Sequence, residues 1–232
     1  VNEYSKALGD SAYSQERYSD AVRIYETVIT NEGGSSDLYY NLGNAFFRSD
    51  MVGKAILNYE RALRLDPTDK DTKANLEYAF AMTKDEVAEQ YELFFVAWFK
   101  TIANKVGINS WAVIGIVAFI IMLLALLLFF FNRNSGIRKT ALIFAVFSLF
   151  LAIFANIAAS HIYNYMNDDS EAIVMREEAY LKSTPDNSGT ELIKIHEGRK
   201  VKIIDDTMRE WKEIQLEDGN VGWVPTSVIE II

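Results

Sequence analysis

Hydrophobic and polar positions follow three different periods along the chain. Residues 111–131, WAVIGIVAFIIMLLALLLFFF, carry no charge. Residues 141–162 form a second uncharged stretch, apart from His161 at its end. At 1.5 Å per residue the first run extends about 31 Å as a helix, the thickness of a bilayer's hydrocarbon core. Just before it, Val87, Tyr91, Phe94, Phe95, Trp98, Ile102 and Val106 recur with the i, i+4, i+7 spacing of an amphipathic helix. Gly107 and Asn109 break that helix, and Ser110 is the expected N-cap of the apolar one. Past residue 171 the period shortens to two. Val201 and Ile203 alternate with charge, as do Lys212, Ile214 and Leu216 with Glu213 and Gln215, and Asp218-Gly219 marks a hairpin turn.

The N-terminal part repeats itself at an offset of 34 residues. Leu8-Gly9 returns as Leu42-Gly43, Ala21 as Ala55, Tyr25 as Tyr59, and Val28 aligns with Ala62. The second copy, LYYNLGNAFFRSDMVGKAILNYERALRLDP (38–67), resembles the tetratricopeptide repeat. The pattern is one of packing. Gly9 and Gly43 let the two helices of a hairpin touch, the alanines face them, Tyr25 and Tyr59 fill the groove between helices, and Pro67 ends the second helix. Ala74, Asn75, Leu76, Tyr78 and Phe80 resemble the first helix of a third copy, with Glu77 in place of the glycine, which reads as a capping helix. Two repeats and a cap make a short array, so a partner is expected to complete it. Carried over residue by residue, the resemblance places a protein-binding groove at Lys6, Asp10, Tyr13, Tyr40, Asn41, Asn44, Phe47, Arg48, Ala74 and Tyr78. Lys6 and Asn41 match the family's clamp for a terminal carboxylate. Asp10, Ala74 and Tyr78 depart from it, so chaperone-tail binding is not expected.

Charge separates the same regions. Residues 1–110 hold 12 basic and 17 acidic side chains, 111–167 three basic and none acidic, and 168–232 eight basic and 15 acidic. The net charge of −9 argues against nucleic acid as a partner. With no cysteine there is no disulfide framework, thiolate metal site or cysteine nucleophile. Two histidines leave little for a metal centre, and no glycine-rich phosphate loop occurs. No enzyme activity and no cofactor are expected. Between the apolar runs, 132–139 carries Arg133, Arg138 and Lys139 and is expected to stay cytoplasmic. Two spans return the chain to its starting side, so both polar parts are expected outside, and the first residue, Val1, suggests a removed signal peptide.

The second apolar run has Ser148, Ala152, Asn156 and Ser160 four residues apart. Such small residues allow close helix approach, either to the first span or to another membrane subunit. The aromatic helix before the spans fits either the headgroup layer or a seat on the N-terminal part. The string GWVPTSVIEI (222–231) resembles the end of an SH3 domain, and AIVM (172–175), KSTPDNSGTEL (182–192) and IHEGRKVKII (195–204) resemble the bacterial type. Trp211 has the opposite strand parity to Ile214 and is expected to face solvent, where SH3 domains keep a ligand-stacking Trp. Pro225 matches the same surface, while Val228 replaces the usual Tyr.

The expected architecture is therefore a multidomain membrane protein. It comprises all-α tetratricopeptide repeats (1–84), an amphipathic interfacial helix (85–110), a two-helix transmembrane hairpin (111–131 and 140–163, joined by 132–139) and a small all-β SH3-like barrel (164–232). Taken whole, with DLYYNLGNAFF (37–47), KAILNYERALRLDP (54–67), WAVIGIV (111–117), EAIVM (171–175) and DGNVGWVP (218–225), the chain resembles the membrane proteins of the Bacteroides aerotolerance (Bat) system. That resemblance implies a non-catalytic scaffold in a bacterial inner membrane, linked to oxygen tolerance and envelope stress. The partners it implies are von Willebrand factor A-domain proteins, a BatD-like protein and a MoxR-type AAA+ ATPase, alongside membrane lipid. Two other readings stay open: an envelope sensor whose SH3 domain binds peptidoglycan, and a cytoplasm-facing adaptor that recruits the ATPase.

Overall fold

A computed structural model of the chain describes residues 4–85 and 93–232. It divides into two compact units. One joins the N-terminal helices to the C-terminal sheet, and the other is the apolar segment between them, 92–167.

The first unit begins with five helices: α1 (Lys6–Ser14), α2 (Tyr18–Glu32), α3 (Ser36–Arg48), α4 (Val52–Leu65) and α5 (Lys70–Phe80). Ser5, Ser35 and Asp69 cap α1, α3 and α5 through side-chain oxygens that accept backbone N–H bonds. The 34-residue period is visible in the backbone itself. The turns inside the two helix pairs each place a non-glycine residue in the left-handed region, Glu16 at φ 58° and Asp50 at φ 61°. A methyl group on Gly9 would come within 2.4 Å of the Tyr25 ring, and one on Gly43 within 2.7 Å of Tyr59. The glycines are there to admit the tyrosines, as the repeat pattern predicts.

The C-terminal part of this unit is a seven-stranded antiparallel sheet of order β3-β2-β6-β5-β4-β1-β7. The strands are β1 (Glu171–Val174), β2 (Glu178–Lys182), β3 (Glu191–His196), β4 (Lys200–Asp205), β5 (Trp211–Gln215), β6 (Val221–Pro225) and β7 (Ile229–Ile231). Ala172, Leu181, Ile195, Val201, Ile214 and Val224, from six strands, share one core, so the sheet is strongly curled. Strand β1 is buried on both faces. Ala172 and Val174 enter the sheet's core, while Ile173 between them joins the core of the helices, together with Ile232.

Polar contacts seal this junction. α4 has no side-chain cap of its own, and Glu197 from the β3–β4 turn supplies one by accepting the Gly53 N–H at 3.1 Å. Arg61 donates to Ile231 O and Glu230, and Arg64 to Ile232 O, covering carbonyls beside the edge strand β7. Lys200 bridges Glu60 of α4 and Glu171 of β1. Near the other edge strand, Asp85 accepts from the His196 backbone N–H at 2.9 Å, contacts its Nδ1 at 2.5 Å and lies 3.5 Å from Arg199. The expected outside partner for the short repeat array is thus met in part by the chain's own sheet.

The second unit contains α6 (Phe94–Asn104), α7 (Ile108–Phe131) and α8 (Ser135–Met166). The predicted amphipathic helix corresponds to α6, while its first turns, with Val87 and Tyr91, lie outside the described residues. Three sequence expectations need correction. The break before α7 is Gly107 alone, which is its N-cap, so Asn109 and Ser110 lie inside the first turn. The connection between the long helices is 132–134 rather than 132–139, because Asn134 accepts the Gly136 N–H and starts α8 there, taking Arg138 and Lys139 into its first turns. The long helices accordingly exceed the apolar runs at these ends.

Candidate functional site

The first helices of the repeats place the predicted groove residues on one surface, and a ladder of hydrogen bonds forms its floor. Tyr25 donates its hydroxyl to Asp10 at 2.7 Å, and Asn41 of the next repeat donates to the same carboxylate at 2.9 Å. One repeat later the arrangement recurs: Tyr59 donates to Asn44 at 2.8 Å, and Asn75 donates to Asn44 at 2.9 Å and to the Tyr40 hydroxyl at 3.3 Å. Asn75 lies 34 residues after Asn41, and that offset was the available signal for it. Burial, then the Asp10 carboxylate, raise the Tyr25 hydroxyl's pKa, and burial chiefly raises that of Tyr59, so both donate throughout the physiological range.

These bonds settle what the groove can do. The amides of Asn41 and Asn75 are spent on the ladder, and Lys6 pairs with Asp10 at 3.1 Å. What faces outward is largely aromatic and cationic. Phe47 and Tyr78 pack ring to ring at 5.6 Å, with Tyr78 64% exposed. Arg48 lies 4.9 Å over the Tyr18 ring, which meets Tyr13 edge-on at 5.3 Å. Tyr18 escaped the sequence reading because it opens a second helix, outside the family's groove positions. Ala74 is exposed on α5 beside Asn75. Such a surface suits a segment with apolar or aromatic side chains better than a bare carboxylate tail.

On the sheet, Trp211 stands opposite Pro225 in the β5–β6 register. Its parity is as expected, away from Ile214 and outside the sheet's core cluster. Its exposure is not: it is 8% exposed and does not face solvent as a stacking platform. The paired β6 strand flanks the ring, and the preceding loop is held down by Thr226, whose N–H and hydroxyl bond Glu210 O and Arg209 O. A large ring laid along a closed outer surface loses its water without entering the core.

In the helical hairpin the predicted stripe divides. Ser148 and Ala152 are buried, whereas Asn156 and Ser160 are exposed. The contact seam on α8 runs Ala141, Ala145, Ser148, Ala152, Ala155 and Ile162, against Trp111, Gly115, Ala118 and Ala125 of α7. Steps alternating between three and four residues keep a face, while a strict step of four drifts by roughly 40° each time. Asn156 donates to Ala152 O and touches the level of Gly115, where an added methyl would lie 3.4 Å from its amide. α6 packs across the open end of the hairpin. Trp111 donates its indole N–H to Ala103 O at 2.8 Å, and Phe99 meets both Phe154 and His161 edge-on. Phe94, Phe95 and Trp98 remain exposed.

Compared with known proteins, residues 6–70 match the family model described as Tetratricopeptide repeat. The chain therefore contains tetratricopeptide repeats, a module whose general role is to bind other proteins. No curated protein matches the chain.

Proposed function

We propose that the chain is a non-catalytic scaffold subunit of an inner-membrane assembly of the Bacteroides aerotolerance type, in the place of its BatE-type component. The observation that carries this reading is the division of labour in the first unit. The sheet, an SH3-like domain in this reading, occupies α4, whereas the face built by α1, α3 and α5 stays open and carries Tyr13, Phe47, Arg48 and Tyr78. The repeats engage the partner subunits, von Willebrand factor A-domain proteins and a BatD-like protein, through that face.

The hairpin of α7 and α8 anchors the assembly in lipid. Its large apolar side chains point outward along most of both helices, the reverse of a soluble protein's core helix. The helices before it and the sheet after it belong to one packed unit, which requires them to share a compartment and the hairpin to return to its starting side. Arg133, Arg138 and Lys139 at the turn favour a cytoplasmic turn and a periplasmic repeat–sheet unit. The sensor reading has less support, because the Trp211 surface that would stack on peptidoglycan is covered.

Co-purification from native membranes tests the scaffold. Tyr78→Ala and Arg48→Ala remove exposed side chains and leave the fold standing. Together they release the partner subunits from the affinity-purified chain. A partner set unchanged by both substitutions rejects the groove as the docking face.

A further inference from the structure

We infer that the cleft between α6 and the exit end of α8 holds the headgroup of an anionic phospholipid. This rests on the reading of the hairpin as membrane-spanning and adds a specific lipid to it.

The cleft has a volume of about 590 Å³ and is lined by Phe99, Asn156, Ile157, Ser160, His161 and Asn164. Four of these six are hydrogen-bonding side chains, on a helix whose outward surface is otherwise apolar toward the turn. Their depth is fixed by α7. Asn156 lies level with Gly115, so the antiparallel rise puts Ser160 level with Trp111 and Asn164 just outside the start of α7. From Asn156 to Asn164 is about 12 Å along the axis. The polar lining thus begins just inside the hydrocarbon edge and ends among the headgroups, the layer that also suits the exposed Phe94, Phe95 and Trp98 of α6.

The electrostatics select the sign of the headgroup. Residues 93–167 carry five basic side chains, Lys100, Lys105, Arg133, Arg138 and Lys139, and no acidic one. Lys100 directly follows the cleft residue Phe99, and Lys105 closes the same helix. Serine, histidine and asparagine donors, in a field with no carboxylate of its own unit, fit a phosphodiester. Ile157 offers the apolar contact for the upper part of an acyl chain. A second membrane helix would need apolar or small residues along the whole face. Here the polar positions stop at Asn156, above the middle of the span.

The full-length chain, purified in detergent, is incorporated into nanodiscs of phosphatidylcholine mixed with phosphatidylglycerol, re-extracted, and weighed by native mass spectrometry. The expected result is selective retention of phosphatidylglycerol. Ser160→Leu combined with Asn164→Leu lowers its occupancy about tenfold, the equivalent of losing one or two hydrogen bonds to a charged group. Equal retention by the double variant overturns the assignment, as does equal retention of phosphatidylcholine. Loss of a co-purifying membrane protein from the variant, with the lipid still bound, overturns it in favour of a helix-docking face. Flotation with phosphatidylcholine vesicles is the separate control. A chain that fails to float defeats the membrane-spanning reading itself, whereas a floating chain without selective lipid defeats only this inference.

Discussion

Gly43 has no room for a side chain, because the ring of Tyr59 occupies the space a methyl group would take. Gly43→Leu forces that ring out of its bond to Asn44 and breaks the rung below Asn75. Thermal melting followed by circular dichroism should show a loss of about 1–3 kcal/mol or more. Gly9 was equally legible, since the glycine and tyrosine of each copy share one offset. Trp211 was legible only by half. Strand parity correctly set its side of the sheet, but its covering comes from a loop whose hold on Thr226 has no periodic signature. Asp85 gave no signal at all, standing in a polar stretch far in sequence from His196. Burial alone would raise its pKa, but the bonds from the His196 ring and backbone and the charge of Arg199 prevail and lower it. A lowered carboxylate pKa stabilises the fold above the unfolded value of about 3.9, and this contribution is lost as pH falls through the folded value. The wild type should therefore lose more melting temperature than Asp85→Asn on acidification below about pH 4. Parallel curves for the two would reject the role.

Among the elements, α4 and β1 depend on each other. α4 takes its N-terminal cap from Glu197 and gives its arginines to the backbone around β7, while β1 divides its side chains between two cores. Ile173→Ala leaves a cavity on the helical side of the strand at a cost of about 2–5 kcal/mol. Since that cavity belongs to both parts, helical ellipticity and the fluorescence of Trp211 and Trp223 should fall in one shared transition. Two separate transitions would show that the parts unfold independently. The sequence reading found both elements but read Arg61, Arg64 and Glu60 as ordinary helix surface. Helical spacing tells which side of α4 a residue occupies, and nothing in it tells that a strand more than a hundred residues later will cover that side. The hairpin turn was misjudged for a local reason: charge marks where a helix leaves lipid, not where its hydrogen bonds stop.

For the whole molecule, the packed helix–sheet unit makes sidedness a strong expectation. A single cysteine placed at exposed Glu77 of α5 and another at exposed Asp218 of the sheet, each in the cysteine-free chain, should react with an impermeant maleimide from the same side of sealed vesicles. Labelling from opposite sides would be incompatible with the contacts of Arg64, Glu60 and Asp85. The number of apolar runs was plain in the sequence, and so was the equal sidedness of the flanking parts. That those parts would close on each other was not, because their contacts are few, specific and remote in the chain.

The division of β1 between two cores also orders events during synthesis. Ribosomes deliver the repeats first, then the apolar hairpin, and only afterwards Ile173 and the strand that Arg61 and Arg64 clasp. Until then the outer side of α4 is an unfinished surface, with an uncapped start and two buried-to-be cations waiting for carbonyls. The newborn head of the chain must remain near its point of membrane entry while the rest is made, and the bilayer hairpin is the tether that keeps it there for its own tail.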